Sequence, residues 1–152
     1  MIDLSDSEKL ILLYLYVRKK PITAGHLFEV LTTEYGFSRT RQSLHSMIKK
    51  LKSSYLINWE PHRLVELTNQ GKEHALHLNW HQHLLERYLE ETLDLSEDIR
   101  KRETLCLTPI VSCDFINAVK EKFNCRDDCK LQEAILTENI CINNKENNEG
   151  GH

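Results

Sequence analysis

The fold is decided by the stretch Ser38–Lys52, SRTRQSLHSMIKKLK. Four aliphatic residues recur at helical spacing along it, and a basic stripe lies on the opposite side. The stretch holds five Lys or Arg residues and no Asp or Glu, and two arginines stand where the helix dipole disfavours positive charge. The pattern predicts a helix with one face for a core and one for an anion, of which DNA phosphate is the natural candidate. The aliphatic residues are Leu44, Met47, Ile48 and Leu51.

Two helices are predicted before this stretch. Ser5–Glu8 has the spacing of a capping box and opens an apolar run that ends before Pro21. Thr23 can cap a second, short helix, and Gly36 suits the left-handed conformation that closes one. Helix, turn and basic helix form the order of a helix-turn-helix, whose second helix enters the major groove of DNA.

A small β-hairpin is predicted next. The runs Leu56–Glu60 and Leu64–Thr68 favour β-structure and are joined by Pro61-His62-Arg63. They form the wing of a winged helix. Arg63 at its tip either contacts DNA or is simply solvated.

The remainder of the chain is predicted to be helical. A long helix follows Thr68 to about Leu93, and helices then lead from Glu97 toward Pro109 and from Ser112 or Asp114 to Phe123, with a last short piece at 131–142. The fold class is therefore mainly α: a winged helix-turn-helix with a small β-hairpin wing, then a helical dimerisation and sensing region. The expected domains are 1–72 for DNA binding, 73–142 for dimerisation and sensing, and a disordered tail at 143–152.

Charge is distributed unevenly along the chain. Residues 1–72 carry 11 Lys or Arg and 7 Asp or Glu, whereas residues 73–152 carry 9 and 16, within a net charge of −3. A basic first half favours nucleic acid as its partner. No run approaches a membrane span and the N-terminus lacks a signal core, so a cytoplasmic protein without membrane contact is expected.

A family resemblance emerges at Leu67-Thr68-Asn69-Gln70-Gly71. The order of helix, helix-turn-helix, wing ending in Leu-Thr-x-x-Gly, and long helix carrying Leu84–Leu89 resembles the diphtheria-toxin-repressor and manganese-repressor family of metal-dependent regulators. The resemblance covers residues 4–123. It implies a homodimeric winged-helix transcription regulator that binds double-stranded DNA at a palindromic operator.

The metal ligands of that family are not matched. Leu10 stands where iron-responsive members have a methionine, and Gln82 stands where the family has a histidine four residues before Glu86. Thr108 and Pro109 occupy the positions of a Glu-His pair. A family-type manganese or iron(II) site is therefore not expected.

The cysteines offer a replacement. All five lie in the last third of the chain, where in a reducing compartment they favour metal or redox chemistry over disulfides. Four thiolates suit an iron-sulfur cluster, which is the preferred interpretation, or a zinc or iron site; reduced structural cysteines are the alternative. The predicted ligands are Cys106, Cys113, Cys125 and Cys129, with Cys141 able to replace Cys106.

Histidines on the long helix offer a weaker signal. His77 and His81 are one turn apart and could chelate a divalent ion with Glu73 or a group from a partner chain. The alternative is a solvated helix face with ordinary histidines.

The sequence thus predicts a homodimeric DNA-binding regulator that senses iron or redox status. Two alternatives remain open: a metal-responsive repressor with a rearranged site, and a winged-helix adaptor that binds protein. No phosphate loop, nucleophile elbow or paired-carboxylate pattern indicates an enzyme. The predicted DNA contacts are Arg39, Thr40, Arg41, Gln42, Ser43, His45, Lys49, Lys50 and Arg63, with Lys52 as a further phosphate contact.

Overall fold

The computed structural model describes residues 3–123. The predicted short helix at 131–142 and the predicted disordered tail at 143–152 lie outside the described residues. Contacts divide the described residues into two compact units, 3–75 and 76–123. The elements are α1 Asp6–Arg18, β1 Ile22–Thr23, α2 Ala24–Glu34, α3 Arg41–Ser53, β2 Ile57–Asn58, β3 Leu64–Leu67, α4 Asn69–Thr92, α5 Glu97–Leu107 and α6 Cys113–Phe123.

Hydroxyl side chains cap the three helices of the first unit. Ser5 Oγ accepts from the backbone N–H of Glu8 at 3.2 Å, which begins α1 where the capping-box spacing predicts it. Thr23 caps α2 and Thr40 caps α3 in the same way. Gly36 follows α2 with a φ of 66°, as the predicted closing glycine requires. The helix-turn-helix prediction is confirmed.

The wing belongs to a three-stranded antiparallel sheet in the order β1-β3-β2. The two predicted strands are present but shorter than expected, and the prediction missed β1, in which Ile22 pairs with Val65 and Thr23 with Leu64. The strand has only two residues, and the second, Thr23, is itself the cap of α2, so the run is too short for strand periodicity to be visible in the sequence. The wing is therefore paired along both edges of β3.

The start of α4 is hydrogen-bonded to the segment between α3 and β2. The Thr68 N–H donates to Leu56 O at 3.0 Å, and Thr68 Oγ1 both donates to Tyr55 O and accepts from Gly71 N–H. A Cβ on Gly71 would lie 1.9 Å from Leu56 O. The Leu-Thr-x-x-Gly motif therefore supplies a helix cap and then the one residue type small enough for the contact.

Each unit has its own apolar core. In the first unit the aliphatic stripe of α3 is buried, as its spacing predicts, together with residues of α1 and α2 such as Leu12 and Leu27. In the second unit, α4 and α6 form a buried cluster of Trp80, Leu84, Leu85, Ile116 and Val119. No helix among residues 3–123 is long and apolar enough to span a membrane.

Candidate functional site

The exposed face of α3 is polar and basic. Arg41, Gln42, His45 and Lys49 are exposed, whereas the aliphatic stripe on the other side has at most 8 % exposure. No acidic residue occurs anywhere in Arg41–Ser53. The face therefore offers hydrogen-bond donors and positive charge without a carboxylate that would repel phosphate.

The first turn of α3 is fixed by two contacts. The Thr40 hydroxyl accepts from the Ser43 N–H at 3.1 Å, so Thr40 acts as a helix cap whether or not it touches DNA. The Arg41 guanidinium lies over the Phe28 ring of α2, 4.9 Å from its centroid. This contact positions an exposed arginine at the end of the helix that enters the groove in helix-turn-helix proteins. Arg39 is exposed in the loop just before it.

Lys50 has a partner inside the protein. Its Nζ lies 3.0 Å from Oε1 of Glu8, a carboxylate on α1 that is only 5 % exposed. Lys49 and Lys52 are also exposed. Among the predicted phosphate contacts, Lys50 is therefore the one whose charge already balances a buried carboxylate.

His45 and Arg63 extend the face toward the wing. The His45 ring packs edge-on against Trp59, with centroids 5.8 Å apart. Arg63 is exposed at the wing turn and pairs loosely with exposed Glu60 at 3.2 Å. His62 beside it has a φ of 63°, so the turn is tight. An exposed pair of this kind is weak and can exchange Glu60 for a phosphate.

A separate group of ligand-type side chains lies in the second unit. Cys113 Sγ is 3.5 Å from Nε2 of His77 and 3.9 Å from Nε2 of His81. The ligand atoms of the three residues all lie within 4.8 Å of one another, and the two imidazole rings are 4.2 Å apart. His81 is buried, and the other two are half-buried. The three side chains could hold one metal ion.

The four-cysteine site predicted from the sequence is not supported. Cys113 faces two histidines, and Cys106 is exposed on α5 and is not part of the group. Cys125 and Cys129, and Cys141 as a substitute, lie outside the described residues. The sequence analysis did recognise His77 and His81 as a possible chelating pair. It did not connect them with Cys113 because nothing in the spacing shows that the start of α6 meets α4.

The positions that match the family's metal ligands do not fit a metal. Leu10 has no donor atom. Thr108 and Pro109 are buried, and the Thr108 hydroxyl is used within the helix, where it donates to Thr104 O at 2.6 Å. Leu10, Thr108 and Pro109 therefore offer no metal ligand at these positions.

Comparison with known proteins shows likeness at the level of structure. No protein-family model and no curated protein matches the sequence. The solved structure of the manganese regulator SloR superposes with a TM-score of 0.60, at 22% identity, over 82% of this chain and 55% of SloR. The structure of T. acidophilum IdeR superposes with a TM-score of 0.60, at 18% identity, over 82% of this chain and 56% of IdeR.

The chain therefore has the fold of these two proteins and spans little more than half their length. The resemblance predicted from the order of helices, wing and Leu-Thr-x-x-Gly motif is confirmed as a shared fold. At these identities the likeness does not carry over what either protein binds.

Proposed function

We propose that this chain is a DNA-binding transcription regulator that acts as a homodimer and responds to a metal ion. The observation that carries the proposal is the exposed face of α3, which is basic, free of carboxylates and set on a winged-helix scaffold. In this proposal the base edges are contacted by Arg39, Arg41, Gln42, Ser43 and His45. The phosphates are contacted by Lys49, Lys52 and Arg63. SloR, which shares the fold, is described as a manganese regulator.

Exposed apolar residues in the second unit support the homodimer. Leu93, Ile99, Ile110 and Phe115 are between 38 % and 64 % exposed. A two-fold dimer would cover such residues and would present two α3 helices to two half-sites of a palindromic operator. Each dimer would then protect two half-sites centred about 10 base pairs, or a multiple of that, apart.

DNA binding is tested with genomic fragments in mobility-shift and fluorescence-anisotropy experiments. The variant Arg41→Ala with Lys49→Ala should bind at least about tenfold more weakly, because one arginine contact to a base contributes about 1–3 kcal/mol. Its affinity should also depend less on salt, with a slope of log K against log salt smaller by about 1 to 2. The matched control, Lys101→Ala with Arg102→Ala on α5, removes the same charge and should leave affinity within about twofold.

Two competing functions give different results in the same experiments. An adaptor that binds protein would show weak DNA binding without steep salt dependence, and the α3 variant would then behave like its control. An iron-sulfur sensor would be coloured and would contain iron and inorganic sulfide when purified without oxygen. The described residues favour neither of these two functions.

A further inference from the structure

We propose that His77, His81 and Cys113 form a binding site for a thiophilic divalent metal ion, with zinc as the ion that fits best. The proposal deepens the proposed function, because it names the ion and its ligands, and it rests on that function only for the effect on DNA. Metal binding is measured without DNA, so the metal site and the proposed regulatory function can be refuted separately.

The distances suit tetrahedral coordination. A zinc ion with Zn–N bonds of about 2.0–2.1 Å and a Zn–S bond of about 2.3 Å separates its nitrogen and sulfur ligands by about 3.6 Å. The distances from Cys113 Sγ to Nε2 of His77 and of His81 are 3.5 and 3.9 Å, one slightly below and one slightly above this value. The ligand atoms are thus already spaced around a point that an ion could occupy.

The local sequence explains why these atoms converge. His77 and His81 are four residues apart on α4, so their rings project from one face on successive turns. Cys113 is the first residue of α6, a position where the helix dipole favours a negatively charged side chain such as a thiolate. The flanking core residues Trp80, Leu84 and Ile116 are buried and hold the two helices in contact. The site is therefore built on packed helices rather than on a loop.

The donor set selects the kind of metal. A thiolate and two imidazoles suit zinc and other late first-row ions, whereas manganese prefers carboxylate, carbonyl and water oxygens. No carboxylate from residues 3–123 belongs to the group. The site should therefore discriminate against manganese. Three protein ligands also leave one tetrahedral position for water or another donor.

Binding has a defined proton balance. The Cys113 thiol loses its proton as sulfur bonds to the ion, and each neutral imidazole donates the lone pair of Nε2. One proton therefore leaves the protein for each ion bound when the thiol is protonated beforehand. No oxidation or reduction occurs. Calorimetry in buffers of different ionisation enthalpy measures this proton release.

Cobalt(II) serves as the spectroscopic probe on the full chain. The metal-free protein titrated with cobalt should develop a thiolate-to-cobalt charge-transfer band and the intense visible bands of tetrahedral coordination, and one equivalent of zinc should remove both. Cys113→Ser should lose the charge-transfer band, and His77→Gln should weaken zinc binding by more than about 100-fold, because even outer-shell partners contribute about 10–100-fold. His77 is only half-buried, which makes this variant the safer one for folding.

Matched controls are a cysteine on α5 and a histidine on α4 that lie outside the group. Cys106→Ser removes an exposed cysteine, and His83→Gln removes an exposed histidine that stacks on Trp80. Both should bind cobalt and zinc as the unaltered chain does. A charge-transfer band that survives Cys113→Ser, or that is lost in Cys106→Ser as well, overturns the proposal. So does manganese binding as tight as zinc binding.

The DNA measurement separates this site from the proposed function. If zinc binds at the three residues but DNA affinity is the same with and without it, the site stands and the metal-responsive part of the function fails. If DNA binding depends on α3 but neither cobalt nor zinc binds, the regulator stands and the site fails. In the latter case the three side chains are simply hydrogen-bonded to one another.

Discussion

Lys50 Nζ lies 3.0 Å from Glu8 Oε1, and this contact joins α3 to α1 through a nearly buried carboxylate. The sequence placed Lys50 beside Lys49 as an equivalent phosphate contact. The structure shows different surroundings for these two exposed lysines, because Lys50 forms an ion pair with the Glu8 carboxylate. One lysine is thus available to a ligand, and the other has a role in the fold itself.

Exchanging each lysine for alanine should separate these roles. Lys50→Ala should lower the free energy of unfolding by about 1–2 kcal/mol, because the Glu8 carboxylate loses a charged hydrogen-bond partner while the half-exposed lysine had been partly screened by water. Lys49→Ala should change stability by less than about 0.5 kcal/mol and should instead weaken DNA binding. Urea unfolding followed by circular dichroism measures the first effect and anisotropy the second. Equal stability losses in the two variants would contradict the assignment.

Gly71→Ala should be strongly destabilising. Its Cβ would collide with Leu56 O at 1.9 Å and crowd Leu67 Cδ2 at 3.2 Å, so the start of α4 must shift, at a cost of about 2–3 kcal/mol. Gly25→Ala is the control, since its Cβ would meet only Arg41 Nη1 at 4.0 Å. In the helix α2 that change should be neutral or stabilise by up to about 1 kcal/mol. Thermal unfolding of both variants, compared with the unaltered chain, checks the difference.

Glu97 at the start of α5 should titrate below its ordinary range. The Lys101 side chain lowers the pKa of this carboxyl through a hydrogen bond and through its charge, and Arg100 adds to the effect. Because the folded-state pKa is the lower one, the stabilising contribution is present above the unfolded-state pKa and is lost as pH falls through the folded-state value. NMR titration should show the pKa of Glu97 rising in Lys101→Ala, and not in the control Lys122→Ala. The rise should be incomplete, because the helix N-terminus still favours the carboxylate.

If the chain forms the proposed homodimer, its association should be sensitive to substitution of an exposed apolar residue in the second unit. Ile110 is 64 % exposed, and Ile110→Glu should weaken association by placing a charge in an apolar interface. Val17→Glu, on an exposed apolar residue of the first unit, is the control and should leave the molar mass of the dimer in solution essentially that of the unaltered chain. Light scattering after gel filtration measures the mass of each. A monomeric unaltered chain, or a dimer that tolerates Ile110→Glu, would count against this interface.

Local signals in the sequence predicted most elements of the fold. Ser5, Thr23 and Thr40 cap their helices by short-range hydrogen bonds, and the stripe from Leu44 to Leu51 is buried as its periodicity requires. The failures concern contacts between distant segments. β1 forms only because β3 supplies its partner, and Cys113 meets His77 and His81 only because α6 packs against α4. The spacing of residues along the sequence does not show which distant segments come into contact.

The sequence pattern also does not show the contacts of individual side chains on the predicted DNA-binding surface. A basic stripe identifies the face of α3, but it cannot show that Thr40 caps the helix or that Lys50 is paired with Glu8. The sequence pattern thus identifies the exposed face of α3, and the structure shows which of its residues also have partners within the protein.

Thr23 has two partners at once, since its backbone pairs with Leu64 in the sheet while its side chain caps α2. The wing is consequently not a module that can be trimmed or exchanged. A shortened chain without residues 57–67 would remove the neighbour of Ile22 and loosen the residue from which the helix-turn-helix starts. Any transplant of the proposed DNA-binding surface onto another scaffold must carry β1 and β3 together with the two helices.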